Sequence, residues 1–255
     1  MIRPNFAFAF RSFWKEKYYT LLNIAGLSIG LCSTLLICVF IVDEQTYDSF
    51  HPEVENLHVL GAQGKIDGRQ QATVMAPGAW VPSLQNDFSE VKAATQTLSP
   101  GFPASFRNPE TDLITVSEQF LCVSPGFKNV FQFDLVHGEK EHVFHRPNSV
   151  VLSASTADRL FGDENPLGKT LGIKHIFLSP NKYEPLIVTG VIQDYPTNSH
   201  IQPDYLLTLD FFKKSLPPSQ PDWQKNWGAD YGWFTSYIRT NNGVDPSRLA
   251  QLFGK

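Results

Sequence analysis

The sequence predicts an α+β protein, in which a single N-terminal transmembrane helix leads into a mixed α/β extracytoplasmic core domain. Three observations carry this. Thr20 to Val42 is a run of 23 residues with no charge. A basic flank precedes it. After it, short β-branched or aromatic segments alternate with two short helical patterns, each bounded by turn residues.

The uncharged run reads TLLNIAGLSIGLCSTLLICVFIV. As a helix it is roughly 34 Å long, enough to cross a hydrocarbon core of about 30 Å with slight tilt. A cleaved signal peptide has a shorter apolar stretch and small residues at its cleavage site. This run instead exits into Asp43-Glu44-Gln45-Thr46-Tyr47. Leu31 and Ile37 precede the span's two cysteines where a lipoprotein needs a small residue. The run is therefore read as a retained anchor.

Orientation follows from Arg3, Arg11, Lys15 and Lys17, which face one acid, Glu16. The positive-inside rule keeps residues 1–19 in the cytoplasm and sends 43–255 outward. Without that flank the chain holds 17 basic and 24 acidic residues, a formal balance of −7, which gives no support to nucleic-acid binding. Cys32 and Cys38 lie in the span and leave Cys122 alone outside, so no disulfide forms within the outer domain.

Within the first 19 residues, Phe6, Phe10, Phe13 and Trp14 follow the i, i+4, i+7, i+8 spacing of one helical face. They predict an amphipathic segment at the inner surface, the alternative being an aromatic, basic flank without stable helicity. In the span, Gly26 and Gly30 form a G-x-x-x-G pair that lets a second transmembrane helix approach closely.

Beyond the span, strands are expected at Leu57–Leu60, Ala72–Met75, Val91–Leu98, Ser149–Leu152, Leu186–Gln193 and Phe234–Arg239. Helices are expected at Trp80–Phe88 and Ser153–Phe161, the second with a Ser N-cap and a closing Gly162. Phe211–Trp227, with its prolines, reads as a loop. Asp245-Pro246 starts a helix that the chain leaves after about two turns, so the chain is expected to be cut from something longer.

Several patterns imitate catalytic motifs. Gly26-Leu27-Ser28-Ile29-Gly30 matches G-x-S-x-G, but its serine lies in the middle of an apolar helix. Gly162 to Thr170 resembles a phosphate loop, yet has five residues before its Gly168-Lys169 pair, one of them proline, and follows a helix. It reads as a turn into a strand. His137, His142 and His145 lack the spacing of a zinc site and read as surface histidines. Asp43, Glu44 and Asp48 read as a solvated neck, and Trp223, Trp227 and Trp233 as core or interface packing. No enzyme activity and no cofactor are expected.

Phe8–Lys15, Leu22–Gly30, and Asp43 to His51 resemble the first span and membrane exit of permeases of the MacB/FtsX type of ABC transporter. Val150–Ser153, Phe161–Leu171, Val188–Val191 and Asn198–Ile201 are similar to that family's periplasmic core domain. The resemblance implies a permease subunit in the bacterial inner membrane, surrounded by lipid. Its partners would be a cytoplasmic ABC ATPase, a second permease half or copy, and a periplasmic partner or exported substrate. ATPase-driven motion would pass through the first spans, with Phe6, Phe10, Phe13 and Trp14 as cytoplasmic coupling segment. The rival expectation is a signal-anchored sensor or ligand-binding domain.

Overall fold

The computed structural model describes residues 15–66, 69–216, 233–245 and 248, without the side chains of 62–71. It divides into two compact units, Met1–Ser49 and Phe50–Lys255. The first contains helix α1, Lys17–Gln45, which extends the uncharged run at both ends. Every described side chain of α1 lies outside any core, as expected of a helix whose apolar surface has no water-driven partner within its own unit. Ser33 Oγ and Thr34 Oγ1 donate back to the carbonyls of Ile29 and Gly30, both at 2.9 Å. These bonds satisfy the hydroxyls without any partner outside the helix.

The second unit is built on a 12-stranded mixed sheet. Its strands are β1 (Leu57–Val59), β4 (Met75–Ala76), β5 (Val91–Leu98), β6 (Ala104–Arg107), β7 (Ile114–Ser117), β8 (Phe120–Val123), β9 (Leu135–Gly138), β10 (Ser149–Ser153), β11 (Thr170–His175), β12 (Ser179–Ile192), β13 (Tyr205–Thr208) and β14 (Phe234–Thr240). The order is β1-β14-β5-β8-β13-β10-β12-β11-β6-β7, with β4 on β14 and β9 on β12. Two pairings are parallel, β10 with β12 and β8 with β13. A separate hairpin joins β2 (Ala62–Ile66) to β3 (Arg69–Thr73).

The sheet is buried on both faces, and β10 shows why its sequence lacks alternation. Val150 and Leu152 point into one core with Phe106, Phe120 and Leu160. Val151 points into another with Phe127, Phe131 and Ile192. Successive side chains leave opposite faces of a strand, so a strand covered on both sides needs apolar residues throughout. Helices α2 (Trp80–Asp87), α3 (Phe127–Val130), α4 (Ala154–Phe161) and α5 (Leu209–Ser215) supply the cover. In α4 the Ser153 side chain accepts from the Thr156 N–H, and Gly162 ends the helix at φ 59°.

Against the sequence reading, β5 matches to the residue, and β1, β10, β14, α2 and α4 differ by a residue or so at an end. Three expectations need correction. The loop expected from Phe211 is helical through Ser215, because the Thr208 hydroxyl accepts from the Phe211 N–H and starts α5 at Leu209, eight residues before the first proline. The segment Ala72–Met75 is split at Val74 between β3 and β4. The strand expected at Leu186 begins at Ser179, because β11 pairs with its first half. Trp223, Trp227, most of the C-terminal helix and the Phe6–Trp14 segment lie outside the described residues.

Candidate functional site

Residues far apart in sequence converge where the outer unit begins. His51 is buried, its ring 5.4 Å from that of Phe131 and 6.1 Å from that of Tyr195. Phe131 also meets Tyr237 at 4.9 Å and His200 at 6.5 Å. His200 Nε2 lies 3.2 Å from the Tyr237 hydroxyl. Burial pushes the Tyr195 hydroxyl well above its ordinary pKa, with a further push from Asp134. The ring therefore stays neutral and acts as packing.

Arg239, only 6% exposed, fixes this cluster. Its Nε and Nη2 donate to the Val130 carbonyl at 3.1 and 2.8 Å, and Nη1 donates to the Pro52 carbonyl at 2.7 Å. Glu53 lies 3.9 Å away. A buried guanidinium is tolerable only when its donors are satisfied, and the fork geometry of arginine reaches both carbonyls at once. One side chain of β14 thus ties the first residues of the outer unit to the end of α3. Sequence reading missed Arg239; its only signal is a lone charge in an otherwise uncharged strand.

The remaining motif residues take structural roles. Gly168 at φ 77° makes the turn into β11 and donates to the Val188 carbonyl at 2.8 Å, while the Val188 N–H returns to Lys169 O at 2.9 Å. Lys169 Nζ is held by Glu164 and, at 3.2 Å, by Glu110. The Glu164 bond raises the lysine pKa, and Lys169 lowers that of Glu164. This ammonium is committed to two carboxylates, the opposite of a phosphate cradle. Gly190 sits where an added Cβ would lie 2.8 Å from Val143 Cγ1, so the strand crossing there leaves no room for a side chain.

The histidine trio separates. His137 lies in β9 opposite Val191, whereas His142 bonds Glu139 at 2.8 Å and packs edge-on to His145 at 5.7 Å. No grouping suited to a metal ion occurs among the described residues. The Cys122 thiol is fully buried and pushed up to about 12, which leaves it inert. His175 is engaged by backbone groups on both ring nitrogens. Hydroxyls do meet bases, Thr240 Oγ1 lying 3.4 Å from His58 Nε2 and Ser117 Oγ donating to Asp204 at 2.7 Å, but Thr240 and Ser117 are themselves buried.

In the first unit, Gly26 and Gly30 stand one turn apart, and a Cβ at either would meet open space. Phe6, Phe10, Phe13 and Trp14 lie outside the described residues. Trp233 is 43% exposed, with its ring 6.5 Å from that of Phe212.

A family model for the MacB-like periplasmic core domain matches residues 20–254. Among solved structures, a domain assigned to a permease protein from Porphyromonas gingivalis is similar at TM-score 0.65 and 22% identity, over 79% of this chain and 80% of that one. The periplasmic region of MacB from Actinobacillus actinomycetemcomitans is similar at TM-score 0.50 and 16% identity, over 77% of this chain and 79% of that one. At these identities the likeness is one of fold. The comparison with curated proteins finds no significant match.

Proposed function

Because the chain belongs to the MacB-like periplasmic core domain family, which is a permease domain and not a catalytic one, we propose that it is a mechanical element: it carries motion driven by a cytoplasmic ATPase to an outer domain that acts on a partner or exported substrate. In this reading residues 1–19 are cytoplasmic, 20–42 cross the inner membrane and 43–255 form the periplasmic domain. Gly26 and Gly30 pack against another transmembrane helix of the same permease or of a second copy or half. The Phe6, Phe10, Phe13 and Trp14 face meets the ATPase side, and later spans would complete the permease.

The observation that carries the proposal is the Arg239 clamp. Motion entering a domain through its first residues is useful only if those residues are fixed to the body they must move. Pro52 is fixed in this way to β14 and α3, through charge-assisted bonds that are buried at Val130 and part-buried at Pro52. A conformational change also needs a differential interaction with its two states, and a nucleotide-bound partner supplies it.

The test is reconstitution of the complete permease with and without its ATPase, with spin labels at Lys182 in both copies. The expected result is an ATP-dependent change in the label–label distance that requires the partner. Movement on adding ATP to the permease alone, or no movement with the partner present, would sink the proposal.

A further inference from the structure

Among the described residues, β7 ends the sheet and no further strand pairs with its outer edge. Asn108 N–H donates to Leu113 O at 2.9 Å, and the register then runs Arg107 with Ile114, Phe106 with Thr115, Ser105 with Val116 and Ala104 with Ser117. Hydrogen-bonded pairs alternate in an antiparallel ladder. Thr115 and Ser117 therefore spend their backbone groups on β6, while the N–H and C=O of Ile114 and Val116 point away from the sheet.

The side chains on this edge are as open as the backbone. Ile114 is 50% and Val116 69% exposed. Thr115 faces the opposite way, 2.6 Å from the Tyr205 hydroxyl. β7 itself contains no proline, lysine or bulge, the devices by which proteins blunt an exposed edge.

We propose that the β7 edge docks an extended segment of a partner protein, which adds as a further strand with apolar residues beside Ile114 and Val116 and a basic residue at each end. Charge selects this occupant over a second copy of the chain. Self-pairing that engages all four free groups centres on Thr115 and sets Asp112 opposite Glu118 of the other copy. Like charges directly opposite are destabilising. Glu118 is exposed and forms no ion pair among the described residues, and Asp112 is matched only by Arg107 of its own sheet, at 2.5 Å. A strand flanked by Lys or Arg meets both acids, and main-chain bonds with alternating side-chain contacts are the general mode of such docking.

This rests on the reading that the outer domain engages a partner, and it names the place. The experiment uses the full chain in detergent and two labelled peptides, Lys-Thr-Val-Thr-Val-Thr-Lys and Glu-Thr-Val-Thr-Val-Thr-Glu. The lysine peptide is expected to bind about tenfold more tightly and to slow amide exchange across residues 113–117. Val116→Pro, which removes an outward N–H, should weaken it about tenfold. Glu118→Lys, a surface change that leaves the ladder intact, should narrow the preference between the peptides. Equal binding of both peptides overturns the proposal, as does unchanged exchange at 113–117. Exchange slowed by raising the concentration of the chain alone would assign the edge to self-association instead. ATP-driven domain movement without edge protection would sink the docking site and leave the mechanical reading standing.

Discussion

Arg239 donates to the carbonyl of Pro52 at 2.7 Å across 187 residues of sequence, so a late strand holds the entrance of the outer domain. Replacing it with methionine keeps much of the apolar stem and removes the donors to Pro52 and Val130. Arg239→Met should cost about 3 kcal/mol, because the buried Val130 carbonyl loses both of its charge-assisted donors and the Pro52 carbonyl loses one. Urea unfolding of the chain in detergent measures this, and a loss below about 1 kcal/mol would mean that the clamp is mechanically slack.

Glycines in the two units should respond in opposite ways. A Cβ at Gly126 would collide with the Ala94 carbonyl, which is backbone and cannot yield without distorting β5. Gly126→Ala should therefore destabilise by about 2 kcal/mol. Gly26→Ala and Gly30→Ala add a methyl to open space and should leave the melting temperature unchanged. Replacing both with leucine should lower copurification of the other spans in the full-length permease; undiminished copurification would reduce the pair to coincidence.

His175 makes stability fall on mild acidification. It is 2% exposed; burial lowers its pKa below the ordinary 6.5, against a smaller opposite effect from the Phe102 carbonyl. Nδ1 accepts from the N–H groups of Phe177 and Leu178 at 3.2 and 3.3 Å, which a protonated ring cannot do. With the folded pKa below the unfolded one, the unfolded state binds more protons as pH drops beneath 6.5. The stabilisation is complete above that value and shrinks below it. His58 is shifted in the same direction by burial, so His175→Asn should remove only part of the slope of urea midpoint against pH between about 6.5 and 5.5. An unchanged slope in the variant would be the contrary result.

Cys122 should react only when the domain opens. Its thiol is buried and pushed up to about 12, and Cys32 and Cys38 lie in the apolar helix. With those two replaced by serine, labelling of Cys122 by a charged thiol reagent at neutral pH should track global unfolding in urea. Rapid labelling of the folded protein would reveal local opening of β8.

Topology is testable by the same chemistry in intact cells. With native cysteines removed, a cysteine at Lys182 should react with an impermeant reagent, and one at Lys15 should react only after lysis. The reverse pattern would place the outer domain in the cytoplasm and end the mechanical proposal.

Sequence alone determined the features whose cause is local. Thr20 to Val42 has no charge over a membrane's thickness, and α1 covers it. Ser153 and Gly162 bracket α4 because a hydroxyl cap and a left-handed glycine act within one turn of the helix. The tertiary structure decided the rest. Strands β6, β7, β8 and β13 are four residues each, too short for a period to emerge, and exist because distant partners complete their ladders. The open edge at Ile114 and Val116 is visible only once the order of the strands is known. Arg239 reads in sequence as an ordinary charge after Tyr237-Ile238. It becomes a clamp because folding removes water from Val130 O, and a desolvated carbonyl must find its donor wherever the chain returns; the same guanidinium then reaches Pro52 O.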